Sequence, residues 1–156
     1  MDEEIKVPAD FNPRLRKRAG GGEIFDPVRR KFVRLTPEEG VRQYFVHYMI
    51  TVLHYPGTLM VVEGSVSSLK QKKRFDILVY DATGRPRVIV ECKAPGIQIT
   101  QAVFDQAAGY NLALKADYLI VTNGHHHYAC RIDHEGRSYR FLPSLPLWEE
   151  LQCVTG

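Results

Sequence analysis

Two carboxylates and a lysine lie in neighbouring apolar segments of the sequence. Asp76 lies near the start of residues 74–81, and Glu91 and Lys93 lie at the end of residues 86–93. Both segments are rich in β-branched and aromatic residues, and a turn-prone stretch joins them, so they predict a hairpin. Because successive side chains of a strand point to opposite faces, Glu91 and Lys93 share one face. Two carboxylates beside a lysine predict a site for a hard divalent cation with a cationic helper.

Each of these charged residues also has an ordinary explanation. Glu91 and Lys93 could form an exposed ion pair on a solvated strand face, an interaction worth about 0–1 kcal/mol. Asp76 could pair with Arg74 or Lys73. That pairing explains Asp76 alone, whereas one divalent cation held between the two carboxylates explains both. Charged residues at the mouth of a buried strand are also where α/β sheets commonly build sites, which favours the cation.

Two helices are predicted to flank this hairpin. Thr36 caps the first helix, Pro37 fits its first turn, and Glu39 completes a capping box. Apolar residues then recur at helical spacing until residues 54–57 end the helix. The second helix is predicted over about Thr100–Lys115, with Thr100 as its cap.

Further apolar runs predict strands, and together with the helices they indicate the fold class. The chain passes from the strand ending near Lys93 through the second helix to the next strand, which requires a right-handed parallel crossover, whereas hairpins require antiparallel neighbours. We therefore expect an α/β fold (α+β mixed) with a central mixed β-sheet flanked by helices and an αβββαβ core. The remaining predicted elements are a small hairpin of residues 23–25 and 31–35, strands at 59–66, 117–122, 126–132 and 139–141, and a helical turn at 147–151.

The length and composition indicate one globular domain with an N-terminal extension. The chain has 156 residues, of which 44% are hydrophobic and 25% charged, values typical of a globular domain. Residues 1–22 combine charges, two prolines and a glycine triplet, a composition that cannot bury enough apolar surface to order itself. We therefore expect a mobile basic arm over residues 1–22 and a single domain over residues 23–156.

Lysine and arginine residues are concentrated in three clusters. The net charge of +3 favours an anionic partner only weakly, because a modest surplus of positive charge is common. The clusters suit the phosphate backbone of DNA, with affinity that depends on salt and little on sequence, although a charge cluster is more often a solvated face. They are Arg14, Arg16, Lys17 and Arg18; Arg29, Arg30, Lys31 and Arg34; and Lys70, Lys72, Lys73 and Arg74.

The cysteines and the apolar runs predict the compartment. Cys92, Cys130 and Cys153 are odd in number, widely spaced and in apolar surroundings, as expected of buried thiols in a reducing compartment. The N-terminus has no apolar signal-peptide core, and no apolar run approaches the ~20 residues needed to span a bilayer. We therefore expect a cytoplasmic protein with no membrane partner.

Five segments together carry a resemblance to a known family. They are Arg74-Phe75-Asp76-Ile77, Val88-Ile89-Val90-Glu91-Cys92-Lys93-Ala94-Pro95, Leu35-Thr36-Pro37-Glu38-Glu39-Gly40-Val41-Arg42-Gln43, Gln106 to Asn111, and Val121-Thr122-Asn123-Gly124. The first two resemble the Asp…Glu-x-Lys signature of the PD-(D/E)XK nuclease superfamily. Within it, the chain resembles the N-terminal nuclease-like domain of type I restriction enzyme R subunits, in a small stand-alone form, over about residues 23–133.

The resemblance implies a restriction-endonuclease-like fold and a metal-dependent nuclease. It implies that Asp76 and Glu91 hold Mg²⁺, with Mn²⁺ expected to substitute, and that the backbone carbonyl of Cys92 adds a ligand. Lys93 would orient or activate the attacking water. A cation on the scissile phosphate neutralises developing charge, and a nearby lysine adds positive charge, so the chemistry of phosphodiester cleavage agrees with this assignment.

Two further assignments stay open at the sequence level. The resemblance implies a metal-binding glutamate on the first helix, and Glu39 has the matching position, but the capping box explains Glu39 equally well. Gln106 and Tyr110 are one helical turn apart and would face the site, with Gln106 a further catalytic candidate, whereas Tyr110 could equally belong to the core.

Two functions therefore remain open. The first is a metal-dependent DNA endonuclease, favoured by the presence of Asp76, Glu91 and Lys93. The second is a catalytically idle nucleic-acid-binding or assembly module of the same fold, favoured by the small size and by the absence of a phosphate-binding loop of a translocase. DNA is the expected partner, other restriction or repair subunits are further candidates, and the oligomeric state is open, with a dimer among the options.

Overall fold

The computed structural model describes residues 11–67, 72–135 and 137–152, which form two β-sheets and three α-helices. In those parts of the chain, no helix is both long and apolar enough to cross a membrane. In chain order the elements are β1 Leu15–Arg18, β2 Gly21–Asp26, β3 Lys31–Arg34, α1 Pro37–Thr51, a 3₁₀ turn Gly57–Leu59, β4 Met60–Ser67, β5 Lys72–Tyr80, β6 Pro86–Cys92, α2 Gln101–Leu114, β7 Tyr118–Thr122, β8 His127–Asp133, β9 Ser138–Phe141 and α3 Trp148–Gln152.

The larger sheet has six strands in the order β4-β5-β6-β7-β8-β9. β6 and β7 are parallel and are joined through α2, and the other neighbouring pairs are antiparallel. One parallel step in an otherwise antiparallel sheet is what the order of predicted elements requires. The prediction of an α/β fold with a central mixed sheet and an αβββαβ core is confirmed.

The helix starts follow from their capping residues. Thr36 Oγ1 accepts a hydrogen bond from the Glu39 amide at 3.0 Å, and Pro37 occupies the first turn of α1. Thr100 Oγ1 accepts in the same way from Val103 N at 3.3 Å at the start of α2. α2 ends at Lys115, whose φ of 56° is the left-handed conformation typical of a helix C-terminus.

The two faces of the large sheet are covered by different helices. α1 buries Val41, Phe45 and Met49 in one apolar cluster, which also contains Val88, Val90 and Cys92 of β6. α2 buries Phe104 and Ala107 in a second cluster, which contains Ile89. The predicted alternation along β6 is therefore confirmed, because even-numbered residues face α1 and Ile89 faces α2.

The smaller sheet, β1-β2-β3, includes residues that the sequence analysis assigned to the N-terminal arm. Residues 15–22 belong to β1, its turn and the start of β2, whereas residues 1–10 lie outside the described residues. Gly21, at φ +123°, supplies a conformation that other residues rarely adopt and lets β1 fold back onto β2. Arg16 then pairs with Glu23 across the strands, at 2.7 Å. The composition of residues 1–22 predicted a mobile arm. Composition alone does not show that charges such as those of Arg16 and Glu23 meet across a turn.

Candidate metal centre

The centre lies where β5 and β6 separate. Their register ends at Ile77↔Val90, although β6 continues beside β7 as far as Cys92↔Thr122. In the gap, Asp76 Oδ2 accepts a hydrogen bond from the Cys92 amide at 2.7 Å, so a side chain replaces the main-chain acceptor of the neighbouring strand. The Asp76 carboxylate is therefore held in the gap between the two strands.

Glu91 and Lys93 meet Asp76 at this gap. Lys93 Nζ lies 3.3 Å from Glu91 Oε1, and the two side chains are 27% and 17% exposed, respectively. Burial and the neighbouring Asp76 carboxylate raise the pKa of Glu91 to about 7, against the opposing effect of Lys93. Asp76 is itself buried, with 7% exposure. The structure thus brings together the three residues on which the sequence-based site depends.

Cys92 offers its main chain, not its thiol. Burial, and next the charge of Asp76, raise the pKa of the Cys92 thiol well above its ordinary value, so the sulfur stays protonated and faces the α1 side of the core. The N–H and C=O of one strand residue face the same neighbouring strand. Because the Cys92 amide faces Asp76, its carbonyl faces the same gap.

Arg42 is the residue that the sequence analysis missed. From α1 its guanidinium reaches Asp76 Oδ1 at 2.6 Å and Glu39 Oε2 at 2.8 Å. Burial opposes its charge, but hydrogen bonds and attraction from Asp76 and Glu39 outweigh that effect and raise the pKa of Arg42. A signal was present in the sequence. Arg42 shares a helical face with Phe45 and Met49, and a charge in an apolar stripe requires a buried partner.

Glu39 is held by two arginines. Arg29 Nη2 lies 2.6 Å from Glu39 Oε1, and Arg42 Nη1 binds the other oxygen. The amide of Glu39 takes part in the predicted helix cap, while its carboxylate is engaged in these ion pairs. The Arg42 guanidinium contacts both the Glu39 and the Asp76 carboxylates, so it separates Glu39 from the Asp76–Glu91 pair.

Arg29 extends the ion pairs to the smaller sheet. It pairs with Asp26 at the end of β2 and with Glu63 of β4, in addition to Glu39. Asp26 is fully buried, and although burial opposes its charge, hydrogen bonds from Arg29 lower the pKa of Asp26. Alternating charges therefore run from Asp26 through Arg29, Glu39 and Arg42 to Asp76, and they join the two sheets through α1.

Gln106 forms a hydrogen bond within its own helix. Its side chain is exposed on α2, and its amide donates to the Tyr110 hydroxyl at 3.1 Å, one turn along the same helix. Within the described residues, the hydrogen bond of Gln106 goes to Tyr110 and not to Asp76, Glu91 or Lys93. Helical spacing correctly paired Gln106 with Tyr110, and the catalytic role of Gln106 stays a prediction.

An open groove of about 680 Å³ adjoins the centre. Lys31 and Arg34 of β3 form one side, and Arg42, Glu63 and Ala94 lie on the side of the centre. The groove gives solvent, and any ligand of suitable size, a path to the ion pairs. Three members of the second basic cluster, Arg29, Lys31 and Arg34, therefore line the approach to the carboxylates.

The donor atoms fit a hard divalent cation. Within the described residues, no group of three or more His, Cys, Asp or Glu side chains is arranged to hold a metal ion. The centre offers two carboxylates, Asp76 and Glu91, with a carbonyl at Cys92. Mg²⁺ is commonly bound by one or two carboxylates while it keeps several waters, and it prefers oxygen ligands. Burial, and next the charge of Asp76, raise the pKa of Glu91, and a bound cation would offset the repulsion between the two carboxylates.

Comparisons with known proteins give a family and a fold. The family described as type I restriction enzyme R protein N terminus matches residues 37–146. A fragment structure described as an HsdR subunit of a type I restriction enzyme from Vibrio vulnificus YJ016 is similar, with a TM-score of 0.54 and 20% identity. The match covers 76% of this chain and 25% of that chain, so this chain spans about a quarter of its length. No curated protein matches. At this identity the likeness shows the fold, a restriction-endonuclease-like mixed sheet flanked by helices.

Proposed function

The chain belongs to the family of type I restriction enzyme R protein N termini, and from that premise we propose that it is a metal-dependent DNA endonuclease domain of the PD-(D/E)XK type. The observation that carries the proposal is the meeting of Asp76, Glu91 and Lys93 where β5 and β6 separate. The reaction is hydrolysis of a phosphodiester bond.

Each residue of the centre has a role that follows from its contacts. Asp76 and Glu91, with the carbonyl of Cys92, would hold Mg²⁺, and Mn²⁺ would substitute. The cation, when bound, supplies charge that stabilises the phosphate in the transition state and makes bound water more acidic. The Cys92 amide fixes one oxygen of Asp76 in the gap. Lys93, beside Glu91, places an ammonium group that can orient a water molecule or a phosphate oxygen.

A cleavage assay with matched variants tests this function. Supercoiled, linear and single-stranded DNA are incubated with the protein and either Mg²⁺ or Mn²⁺. We expect Asp76→Ala and Lys93→Ala to lower cleavage at least about 100-fold, because each removes a group that acts in the reaction. Asp105→Ala is the matched control, since Asp105 is an exposed carboxylate on α2. Cleavage that survives both substitutions at the centre would exclude the catalytic assignment.

The second candidate function is a nucleic-acid-binding or assembly module without turnover. The observation that favours it is the pairing of Arg42 with Asp76, which engages a carboxylate that a cation would need. Such a module would bind DNA, or another restriction or repair subunit, and would cleave none of the three DNA forms. Binding without cleavage at any divalent cation concentration would support this alternative over the endonuclease.

The exposed face of the smaller sheet supports DNA as the partner. In the register of β1, β2 and β3, Arg16, Glu23 and Arg34 form one cross-strand row. Arg18 shares this face, because it lies two residues beyond Arg16 and contacts Glu23 at 3.3 Å. Arg14 joins them, with its guanidinium 4.6 Å from the ring centre of Phe25. Four arginines and one glutamate thus give this face a net positive charge.

The aromatic residues on this face fix the arginines for contact with a phosphate backbone. The Arg16 guanidinium lies 3.9 Å from the ring centre of Phe32, and Phe32 pairs with Phe25 across the strands. Stacking on a ring holds a guanidinium flat and leaves its N–H groups free to donate. Because the rings are covered by guanidinium groups, the face offers charge rather than base stacking. We therefore expect binding that depends on salt and little on sequence.

Salt dependence tests this surface separately from cleavage. Binding to a duplex oligonucleotide is measured by fluorescence anisotropy in EDTA at several salt concentrations. We expect the variant carrying Arg14→Gln, Arg16→Gln and Arg18→Gln to lower the slope of log affinity against log salt by about 2 to 3, since each lost phosphate contact removes about 0.9. The control carries the same loss of charge at the far edge of the large sheet, as Arg131→Gln, Arg137→Gln and Arg140→Gln. An equal decrease of this slope in both variants would exclude a specific role of the smaller sheet in binding DNA.

A further inference from the structure

Arg42 binds the oxygen of Asp76 that the main chain leaves available to a cation. Its guanidinium binds Asp76 Oδ1 at 2.6 Å, while the other Asp76 oxygen is held by the Cys92 amide at 2.7 Å. We propose that Arg42 is a built-in competitor for the metal ion, and that it leaves Asp76 for a DNA phosphate when the ion binds. The proposal rests on the proposed metal-dependent function and adds to it a regulation of metal binding by DNA.

The charges around Arg42 are those of a cation site. Carboxylate oxygens approach its guanidinium at 2.6 to 3.9 Å, and the side chain is only 9% exposed. A divalent cation bound to Asp76 would lie beside this buried positive charge, and the two would repel each other strongly in a poorly hydrated site. Binding of the ion and retention of the Arg42 pair are therefore opposed. The four carboxylates belong to Glu38, Glu39, Glu63 and Asp76.

The groove gives the displaced guanidinium a place to go. Arg42 lines the open groove of about 680 Å³, and Lys31 and Arg34 line the same groove from β3. Arg29, Lys31, Arg34 and Arg42 give the groove four positive charges against the three carboxylates of Glu38, Glu39 and Glu63, and arginine binds phosphate oxygens through paired N–H groups. A bound phosphate thus replaces the carboxylate that Arg42 gives up. The metal-free pairing with Asp76 and the phosphate pairing in the groove are two alternative states of one side chain.

This arrangement couples the two ligands. The metal ion favours the state in which Arg42 has left Asp76, and DNA favours the same state because it supplies the new partner. Each ligand therefore raises the affinity of the other, and the two effects are equal by thermodynamic linkage. The proposed nuclease would bind its metal weakly without DNA and tightly with DNA. Arg42 acts here as a positioning residue, since it controls access to Asp76.

Metal binding without DNA tests the proposal directly. Binding of Mn²⁺ is measured from the electron paramagnetic resonance signal of the free ion, with wild type, Arg42→Met and Arg42→Lys. Methionine removes the charge and retains an unbranched chain, whereas lysine retains the charge but lacks the planar group with paired N–H donors. We expect Mn²⁺ to bind Arg42→Met at least about tenfold more tightly than wild type, with Arg42→Lys between them. Arg87→Met removes a similarly buried arginine at the other end of β6 and should bind Mn²⁺ like wild type.

Adding DNA tests the coupling. A duplex oligonucleotide with non-hydrolysable phosphorothioate linkages should tighten Mn²⁺ binding to wild type about tenfold, and should have little effect on Arg42→Met. If Arg42→Met fails to fold, a Mg²⁺ titration of the wild type, followed by NMR, tests whether Arg42 leaves Asp76. The side-chain Nε–H signal of Arg42 in an NMR spectrum should shift and exchange faster with water as Mg²⁺ binds.

The outcomes separate this proposal from the proposed function. If wild type binds Mn²⁺ and Arg42→Met binds it no more tightly, Arg42 is not a competitor, while the metal centre stands. An Arg42 signal that does not change as Mg²⁺ binds has the same meaning. If neither wild type nor either Arg42 variant binds Mn²⁺, the metal centre and the competitor role are both excluded. Tighter binding by Arg42→Met, together with loss of the DNA effect, supports the proposal.

Discussion

The two ends of β6 each hold a largely buried arginine paired with an aspartate, yet their charges are organised differently. At the start of the strand, Arg87 pairs with Asp117, donates to the Leu151 carbonyl at 2.6 Å and stacks on Tyr118. One positive charge there meets one negative charge. At the other end, four carboxylates surround Arg42 and a fifth, Glu91, contacts Asp76, while Arg29 and Lys93 bring the positive charges there to three.

The comparison distinguishes a structural ion pair from a candidate functional one. One arginine paired with one aspartate has no net charge, and when the arginine also forms its other hydrogen bonds, the pair joins two elements and requires no other ligand. An excess of carboxylates, with one pKa raised toward neutrality, is typical of sites that bind a cation or transfer protons. Buried charge alone does not mark function here, because both ends of β6 have it. The imbalance of charge does.

The largest expected difference between the two ends is in stability. We expect Arg42→Met to lower the free energy of unfolding by about 3–5 kcal/mol in EDTA, because it leaves Asp76 and Glu39 buried with less compensation. Arg87→Met should lower it by roughly 1–2 kcal/mol, since Asp117 is 26% exposed and can be hydrated. Urea denaturation measures both. Equal losses would show that the two arginines have the same structural role.

A second difference is in pH dependence. In the folded protein the pKa of Glu91 is raised from 4.5 to about 7, so the folded state retains a proton that the unfolded state has released. The resulting stability is complete below pH 4.5, is lost as pH rises through 7, and amounts to roughly 3–4 kcal/mol. Asp76, Lys93 and Arg42 are the charged groups around it, and Glu91→Gln should remove most of the slope. Urea denaturation in EDTA from about pH 5 to pH 8 measures it, and Arg87→Lys, at the other end of β6, should retain it.

A third difference is the response to a divalent cation. Saturating Mg²⁺ should stabilise the wild type by about 1.4 kcal/mol at a concentration ten times the dissociation constant, because the ion binds the folded state alone. Asp76→Asn should abolish this effect, while its amide oxygen can still accept from the Cys92 amide. Asp117→Asn, at the other end of β6, should respond like wild type. Thermal unfolding with Mg²⁺ and with EDTA makes the measurement, and a response retained by Asp76→Asn would place the cation elsewhere.

The smallest expected change in stability accompanies a large change in activity. Lys93→Met should alter the free energy of unfolding by less than about 1 kcal/mol, since its pair with Glu91 is partly exposed. Cleavage should nevertheless be lost, because the ammonium group acts on the substrate. Urea denaturation and the cleavage assay on the same preparation compare the two effects. A variant that loses both stability and cleavage in equal measure would mark Lys93 as structural.

Local patterns in the sequence predicted much of the fold. The caps at Thr36 and Thr100 fixed both helix starts, because a cap depends on residues only three positions apart. Alternation placed Glu91 and Lys93 on one face of β6, and the order of elements required the parallel step to β7. The same alternation does not explain how Asp76 meets Glu91, since that contact depends on the gap between β5 and β6.

The features that the sequence did not reveal depend on contacts between distant residues. Arg42 and Asp76 are 34 positions apart, so their pair becomes apparent only when α1 lies over the sheet. The pairing of β1 with β2 was missed because charge and glycine content indicated an unstructured segment, whereas Arg16 and Glu23 neutralise each other across the turn. The pairing of Gln106 with Tyr110, in contrast, followed from helical spacing because the two residues are one turn apart.

The bond between Asp76 and the Cys92 amide makes the alignment of the β5–β6 hairpin part of the chemistry. A slip of one residue between these strands would move Cys92 away from Asp76 and would turn Glu91 toward the apolar side of α1. An added residue in the connection after Tyr80 should therefore be tolerated only if it bulges out of the turn. A deleted residue should be tolerated only if the turn tightens without shifting the strands. In directed evolution of this domain, length changes in that connection should be far rarer among active clones than substitutions in it. The residues of this connection can change, whereas the register of the two strands cannot.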